Sequence, residues 1–405
     1  MAENRDVLIY SKRSEGGVRF VSRLLNELGR RPVLVSDEPE DVHRGHCAAH
    51  IVVDWETASL EELVAAVGAA GVEPTAVVNF VDPLLSWQVR TARHYGLAGG
   101  EKGREVLLSK ARVRAAMADR GLSSLAFATG TVTSLDTDAV TSYPVIVKPD
   151  QDSGASRLVR RAENPAELVS CLKELAAASG PETDVIVEEY IDGIEFSVDG
   201  PVLDSRFHPL FEVEKTGHDN RRHHDAGLLI SPPVSARVRS AVGELSERVR
   251  ALCSSLGLGD SWLHVEGRVR ADGTCELVEI NPRPGGRSYR DATLRACGVD
   301  SINMSVRMAL GERLDGVLAG ATTGTELLAM LPFEADRVGT LASATSVEEL
   351  MRIPGVVDGY LFERFRVVTM DRENFFAEAL IAADSIADLY KIAEQVRSAF
   401  TFTFE

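Results

Sequence analysis

Residues 262–283 read WLHVEGRVRADGTCELVEINPR, and this stretch decides which fold the sequence predicts. Apolar and polar residues alternate on both sides of Asp272-Gly273, a dipeptide that favours a two-residue turn between antiparallel strands. We therefore predict a β-hairpin in which Ala271 faces Thr274 across the turn.

The predicted register brings polar side chains together on one face of the hairpin. Glu266 lies opposite Glu279, and His264 lies opposite Asn281. The other face is apolar and consists of Val265, Val278 and Ile280. Two carboxylates about 5 Å apart repel by roughly 3 kcal/mol at an effective dielectric constant near 20, so something must offset them.

Two explanations of this carboxylate pair remain open. In the first, Glu266, Glu279 and Asn281 bind Mg²⁺ through oxygen atoms, and water and phosphate complete the coordination. In the second, the face is merely solvated, and Arg268 or Arg283 relieves the repulsion. The sequence Asn-Pro-Arg at 281–283, followed by two glycines, favours a binding site.

The composition is that of an ordinary globular protein. The chain has 405 residues, 44% of them hydrophobic and 26% charged, which allows two or three domains. Its net charge of −17 argues against a nucleic-acid partner, which requires a basic surface. Five cysteines without a C-x-x-C spacing predict reduced thiols and a cytoplasmic location. No signal-peptide core opens the chain and no apolar run is long enough to span a membrane, so no membrane partner is expected.

Strands and helices alternate through the first hundred residues, which predicts a parallel sheet with right-handed crossovers. The predicted strands are 6–10, 32–36, 50–54 and 76–81, and the predicted helices are 20–28 and 60–70. No G-x-G-x-x-G follows the first strand, which argues against an NAD-dependent oxidoreductase. A metal site is an alternative for the closely spaced His43, His46, Cys47 and His50, although the first three lie on a predicted loop and His50 begins a strand.

The remainder of the chain mixes both element types. We predict helices at 110–120, 165–178, 234–256 and 385–400, strands at 143–148, 326–331, 359–368 and 377–383, and a strand, a turn and a second strand within 185–198. The polar residues 211–225 form either a mobile substrate loop or a solvated one.

A second candidate site follows the strand that ends at Lys148-Pro149. Proline ends the hydrogen-bonded ladder and frees the next residues as a loop. In that loop Ser153, Gly154 and Ser156 offer backbone N–H groups and hydroxyls to phosphate oxygens, and Lys148 adds a fixed positive charge.

These motifs resemble those of the ATP-grasp superfamily. Its members hold Mg²⁺ on the phosphates of ATP with paired acidic residues and an asparagine, and Glu266 with Glu-Ile-Asn-Pro-Arg at 279–283 matches that pattern. The Lys-Pro strand and its loop resemble the segment that covers the triphosphate, although this loop has fewer glycines than is usual in the superfamily.

The resemblance implies roles for further residues. It places Lys110 and Lys148 on the phosphates, Glu188 and Glu189 at the adenine end, and Glu195 on the ribose. Taken by itself, Lys110 can also be an ordinary surface lysine. The implied cofactors are ATP and two Mg²⁺ ions, for which Mn²⁺ can substitute.

The loop after the hairpin supplies candidates for the chemistry. Arg283 is the candidate for stabilising a transferring phosphoryl group, because a planar guanidinium matches its geometry. Arg287 and Arg290 are candidates for holding a substrate carboxylate. His264 either orients an acyl phosphate or is a hydrogen-bonded strand histidine.

The implied architecture is an α/β ATP-grasp fold in three parts. We predict a Rossmann-like domain at 1–104, an ATP-grasp domain at 105–315 with a small lid lobe at about 126–192, and an α/β extension at 316–405 that resembles the one in L-amino-acid ligases.

The implied function is that of a carboxylate–amine ligase. It joins an amino acid or similar acid to an amine through an acyl phosphate, giving an amide or peptide bond with ADP and phosphate. Its partners are then small molecules, and a homodimer is expected. The alternatives are a carboxylase or purine-pathway ligase of the same fold, and a nucleotide-binding regulator without turnover.

Overall fold

The computed structural model describes residues 5–13, 16–151, 156–219, 224–225, 227–321, 324, 326–362 and 365–405. Within those ranges, no helix combines the length and the apolar character that crossing a lipid bilayer requires.

The amino-terminal part is a parallel sheet covered by helices, as predicted. Its strands are β1 (Asp6–Ser11), β2 (Arg31–Ser36), β3 (Ala49–Val52) and β4 (Pro74–Val78), and its helices are α1 (Val18–Glu27), α2 (Leu60–Ala69) and α3 (Leu85–Tyr95). The strand order is β3-β2-β1-β4, so the winding direction reverses between β1 and β4. Ligands of open parallel sheets bind at such a point, beyond the carboxyl ends of the strands.

A small antiparallel lobe follows two connecting helices, α4 (Lys102–Leu107) and α5 (Lys110–Asp119). Its elements are β5 (Phe127–Thr131), β6 (Val145–Pro149), β7 (Arg160–Ala162), α6 (Pro165–Ser179) and β8 (Asp184–Glu189), and its strand order is β5-β8-β6-β7. Asn164 caps α6 by accepting a hydrogen bond from the Glu167 amide, and Pro165 occupies the first helical position.

The largest sheet has the order β16-β15-β9-β11-β14-β17-β21-β19, with β10 paired to β9. The strands of this part of the chain are β9 (Ile194–Leu203), β10 (Arg206–Phe207), β11 (Phe211–Lys215), β12 (His218–Asp219), β13 (His224–Asp225), β14 (Leu229–Ser231), β15 (Ser261–Val269), β16 (Cys275–Asn281), β17 (Leu327–Glu334), β18 (Gly339–Ala344), β19 (Val356–Leu361), β20 (Arg366–Val367), β21 (Phe375–Ala383) and β22 (Phe402–Phe404). The helices are α7 (Ala236–Leu256), α8 (Tyr289–Cys297), α9 (Ser301–Ala309), α10 (Asp315–Ala319), α11 (Val347–Leu350) and α12 (Ile386–Ala399).

This sheet crosses the predicted boundary at residue 316. Strand β14 pairs with β17, so the carboxy-terminal strands extend the sheet that carries the hairpin. The three-part division of the chain stays a prediction. The single strand predicted at 359–368 is wrong, because β19 and β20 lie in different sheets.

Helix α7 buries the apolar face of the hairpin. Val265 and Ile280 are 1% and 3% exposed and pack in one cluster with Leu245 of the helix. A Cβ atom on Gly267 would lie 2.5 Å from a methyl of Leu245 and 2.8 Å from the Phe196 ring, so glycine allows this close packing. The opposite, polar face of the hairpin is thereby turned away from the core.

Candidate active site

The hairpin has the predicted register at its polar end. His264 pairs with Asn281 and Glu266 pairs with Glu279. The predicted two-residue turn is wrong, because Arg270 pairs with Thr274 through a 2.8 Å backbone hydrogen bond. Three residues therefore form the loop, the last of them a glycine in a left-handed conformation with φ of 90°.

A β-bulge restores the register that the longer turn would otherwise shift. Gly267 pairs with Leu277, which leaves Val278 as an extra residue in β16. Val278, which was predicted on the same face as Val265 and Ile280, does not join their buried cluster; it is half-buried and lines the cleft. Its carbonyl accepts a 3.4 Å hydrogen bond from Lys148 Nζ.

The polar face of the hairpin opens into a cleft of about 2030 Å³. Pockets for one small ligand usually enclose about 300–1,000 Å³, so the cleft has room for more than one ligand. The candidate residues that the structure describes all line it, namely Lys110, Lys148, Ser156, Glu188, Glu189, Glu195, His264, Glu266, Glu279, Asn281, Arg283, Arg287 and Arg290. Ser153 and Gly154 lie outside the described residues.

Two lysines offset the charge of the opposed carboxylates. Lys215 Nζ lies 2.6 Å from Glu266 Oε1, and Lys110 Nζ lies 3.0 Å from Glu279 Oε1. Of the two arginines considered for this role, Arg268 binds Glu195, whereas Arg283 binds Asp82 and also interacts electrostatically with Glu279. Burial alone would raise the pKa of Glu266, but Lys215 and the neighbouring imidazole hold that pKa well below its usual value. Glu266 is consequently charged at neutral pH.

The oxygen atoms on this face fit a magnesium ion. The side chains of Glu266 and Glu279 are 18% and 26% exposed to the cleft, and the half-buried Asn281 follows on the same strand. Two carboxylates and an amide oxygen suit Mg²⁺, which keeps water or phosphate as its other ligands.

The histidines near residue 46 do not form a comparable site. His50 Nε2 forms a 2.8 Å hydrogen bond with Ser36 Oγ. In the described part of the chain, no group of three His, Cys, Asp or Glu residues is placed to hold a metal ion, so His43, His46, Cys47 and His50 are not brought together.

Glu188 holds two cations in the wall of the cleft. It is 4% exposed, Lys148 Nζ lies 2.5 Å from its Oε1 atom, and Arg114 Nη2 lies 2.9 Å from its Oε2 atom. Burial alone would raise the pKa of Glu188, but Lys148 and Arg114 lower it below its usual value. Both carboxylate oxygens are engaged, so this geometry favours a role in orienting Lys148 over the predicted contact with adenine. The neighbouring Glu189 is more exposed and binds Arg270 Nη2 at 2.5 Å.

Glu195 is likewise buried between cations, 7% exposed. Lys215 Nζ lies 2.7 Å from one of its oxygens and Arg268 Nε lies 2.8 Å from the other. Lys215 also binds Glu266. Its two ion pairs therefore connect Glu195, the residue predicted to bind the ribose, with the hairpin face predicted to bind the metal. Sequence reasoning missed Lys215, although the alternation of Phe211-Glu-Val-Glu-Lys215 indicates the strand β11 that carries it.

An aspartate that sequence reasoning also missed fixes His264. Asp199 Oδ2 lies 2.5 Å from His264 Nδ1, and its Oδ1 atom accepts hydrogen bonds from Trp262 Nε1 at 3.0 Å and from the Gly285 amide at 2.8 Å. Burial alone would lower the pKa of His264, but Asp199 and Glu266 raise it to about 9. His264 is therefore buried beside two carboxylates that favour its protonated form.

The three candidate arginines contact acids from different parts of the chain. Asp82, which follows β4, binds Arg283 through both carboxylate oxygens. Burial alone would lower the pKa of Arg283, but Asp82 raises it. Glu378 of β21 lies 3.5 Å from Arg287, and Asp300 lies 2.5 Å from Arg290.

Comparison with known proteins agrees with this arrangement. Residues 141–290, which include β6 to β9, Lys148, Glu188, Lys215 and the whole hairpin, match the model of the ATP-grasp domain, whereas β5, Lys110 and Arg114 lie before this segment. This segment of the chain is an ATP-grasp domain.

Its similarity to individual proteins is low in sequence and high in fold. The uncharacterised protein y4rH of Sinorhizobium fredii is 24% identical over 371 residues, which cover 88% of this chain and 73% of that protein. A D-alanine–D-alanine ligase of Marinomonas sp. is 29% identical over 174 residues, 42% of this chain and about half (53%) of the ligase. The crystal structure of an L-amino acid ligase from Bacillus licheniformis aligns over 100% of both chains, with a TM-score of 0.81 at 17% identity. The predicted α/β ATP-grasp fold is thus confirmed.

Proposed function

We propose that this ATP-grasp protein is an ATP-dependent ligase that joins a carboxylate to an amine through an acyl phosphate. The observation that carries the proposal is the pair Glu266 and Glu279, opposed across the hairpin with Asn281 beside them, in a cleft that also contains Lys110 and Lys148. This combination suits a metal–nucleotide complex, because carboxylate oxygens bind the metal ion and lysines neutralise the phosphates.

The cations of the cleft bind and orient the nucleotide. Lys110 and Lys148 neutralise phosphate oxygens, and Glu188 fixes the direction of Lys148. When Mg²⁺ is bound by Glu266, Glu279 and Asn281, it supplies charge neutralisation on the β- and γ-phosphates. We propose two such ions, with Mn²⁺ able to replace them.

In the first step a substrate carboxylate oxygen attacks the γ-phosphorus. The bond from the γ-phosphorus to the bridging oxygen breaks, and ADP leaves with that oxygen. Arg283 stabilises the transferring phosphoryl group and His264 orients the acyl phosphate, as cations held by Asp82 and Asp199. In the second step an amine attacks the acyl carbon, phosphate leaves, and the amine gives up a proton.

Lys148 is expected to contribute to nucleotide affinity. Lys148→Met should weaken ATP binding by about 1.5–3 kcal/mol, the range for a hydrogen bond to a charged group. Titration calorimetry with a non-hydrolysable ATP analogue measures the change. The exposed Lys173 of α6 provides the control, since Lys173→Met should leave the affinity unchanged. Equal affinities of the Lys148 variant and the wild type would assign Lys148 to the ion pair with Glu188 alone.

The products identify the reaction. We expect ADP and phosphate as products. The carboxylate face would place Mg²⁺ at the β/γ end of the nucleotide, and neutralising the charge there makes the γ-phosphorus the electrophile. Phosphate release is measured across a matrix of amino-acid pairs, and hydroxylamine should trap the intermediate as a hydroxamate when the acid is present without an amine. AMP as the nucleotide product would contradict the mechanism. A requirement for bicarbonate as the acid would instead indicate a carboxylase.

A further inference from the structure

A buried glutamate in the carboxy-terminal part of the large sheet faces the arginine loop. Glu378 lies in the interior strand β21, opposite Pro332 of β17 and Tyr360 of β19, and is 1% exposed. Leu380, two residues further along the strand, belongs to an apolar cluster with Tyr289. A carboxylate in such surroundings is costly unless its charge is matched, so its partners indicate why it is there.

In the part of the chain that the structure describes, the partners of the Glu378 carboxylate belong to the loop after the hairpin. Its Oε2 atom accepts a 2.9 Å hydrogen bond from the Ser288 amide, and its Oε1 atom lies 3.5 Å from Arg287 Nε. The Arg287 guanidinium stacks at 4.4 Å on the ring of Phe375, which comes from the same strand. Strand β21 therefore fixes both the backbone and the side chain of this loop.

Arg287 has an unfavourable backbone conformation, with φ of 55° although it is not glycine. Such a conformation persists where the surroundings enforce it, and it occurs preferentially at functional sites. The Arg287 side chain is 21% exposed and lines the cleft, so the enforced backbone directs a guanidinium towards the ligand space.

The other arginines of the loop are less suited to binding a substrate. Asp82 engages Arg283 through two carboxylate oxygens. Asp300 engages Arg290 at two nitrogens, and Asp291 binds it at 2.7 Å. Arg287 instead contacts Glu378 at 3.5 Å and the ring of Phe375, lines the cleft, and has a planar guanidinium whose geometry matches a carboxylate.

We propose that Glu378 is a positioning residue that holds Arg287 so that its guanidinium binds the carboxylate of the acid substrate. This inference rests on the proposed function. It gives the strands after residue 316 a part in recognising the acid, although the nucleotide residues belong to the preceding lobes. It also predicts that Glu378 affects the binding of the acid and not the transfer of the phosphoryl group.

The first test is kinetic and uses an acid that stimulates phosphate release in the wild-type protein. In Glu378→Gln we expect KM for that acid to rise about tenfold or more while kcat stays within about threefold, because the substitution removes the charge beside Arg287 and weakens the hydrogen bond to the Ser288 amide but leaves the nucleotide residues unchanged. In Glu378→Asp, which keeps the charge, KM should lie between the values of the wild-type protein and Glu378→Gln. Glu326→Gln is the control, since Glu326 pairs with Arg295 of α8 at 2.7 Å on the exposed side of the protein and outside the cleft.

Arg287→Lys provides a second variant that leaves the buried strand unchanged. We expect a similar rise in KM, because lysine keeps the charge but lacks the two parallel N–H donors with which a guanidinium binds a carboxylate. An unchanged KM in Arg287→Lys overturns the proposal, and so does a fall in kcat without a rise in KM in Glu378→Gln.

Hydrogen–deuterium exchange separates this inference from the proposed function. Amides of residues 284–288 should exchange about fivefold faster or more in Glu378→Gln, because a neutral amide binds Arg287 and the Ser288 N–H more weakly. Unchanged exchange there overturns the positioning role. If no acid stimulates phosphate release in the wild-type protein, the ligase function fails, while the exchange result still decides whether Glu378 positions the loop.

Discussion

Glu279→Gln is expected to lower kcat by about two orders of magnitude or more in a protein that remains folded, a loss comparable to removing one preorganised electrostatic contact from an active site. The carboxylate of Glu279 is 26% exposed to the cleft and contacts Lys110 Nζ at 3.0 Å. A neutral amide in its place weakens the oxygen set that fits Mg²⁺ and also removes the negative charge that Lys110 contacts through Glu279. The phosphates of the nucleotide would then react with less of their charge neutralised.

The same reasoning applies to Asn281, the third oxygen ligand that we propose. Asn281→Ala should lower kcat by about two orders of magnitude as well, since the substitution removes a neutral ligand without changing the net charge. Agreement between the two variants would assign the effect to a shared ion, because Asn281 forms no ion pair whose loss could explain it.

The measurement is phosphate release at saturating nucleotide, Mg²⁺ and substrates, with circular dichroism to verify folding. Glu276→Gln is the matched control, because Glu276 lies on the same strand but contacts Ser123 Oγ at 2.8 Å and Arg248 at 3.6 Å outside the cleft. A folded Glu279→Gln protein with nearly wild-type kcat would show that the carboxylate pair does not hold the metal.

The part of the site that sequence predicts well is the part encoded locally. Alternation of side chains gives the faces of the hairpin, so the pairs His264–Asn281 and Glu266–Glu279 follow from the pattern within about twenty residues. Even these pairs are correct only because two differences from the predicted hairpin cancel. The longer turn shifts the register by one residue, and the bulge at Val278 shifts it back, which a pattern of period two cannot reveal.

The partners of the site residues could not be predicted, because they come from distant elements. Lys215 is 51 residues from Glu266, Asp199 is 65 from His264, and Asp82 is 201 from Arg283. Each of these contacts depends on how the sheets pack, which the local pattern does not specify. Glu188 shows the consequence: the resemblance predicts a ligand for adenine, whereas packing places Arg114 and Lys148 on both of its oxygens.

Glu188→Gln is expected to destabilise the protein by about 3–5 kcal/mol, the cost of breaking a buried ion pair by removing one partner. The substitution keeps the volume of the side chain. It leaves Arg114 and Lys148, whose side chains are 3% and 6% exposed, without the carboxylate that both of them contact. Urea unfolding at pH 7, monitored by circular dichroism, measures the difference in the free energy of unfolding.

The neighbouring residue supplies the control for this change. Glu189 contacts Arg270 at 2.5 Å, but the two side chains are 37% and 28% exposed. Because exposed ion pairs contribute little, Glu189→Gln should cost about 1 kcal/mol or less. Equal effects of the two substitutions would mean that the buried cluster does not stabilise the fold.

Acid should remove the difference between the wild-type protein and Glu188→Gln. The pKa of Glu188 is lowered in the folded state by Lys148 and Arg114 against the effect of burial, so its charge stabilises the protein fully above the unfolded pKa near 4.3. That contribution is lost as the pH falls through the lower, folded-state pKa, where the carboxyl group becomes neutral like the amide. Unfolding free energies recorded from pH 7 downwards should therefore begin to converge below the unfolded pKa and coincide only below the folded-state pKa. A difference that stays constant over this range would show that the charge of Glu188 is not what stabilises the cluster.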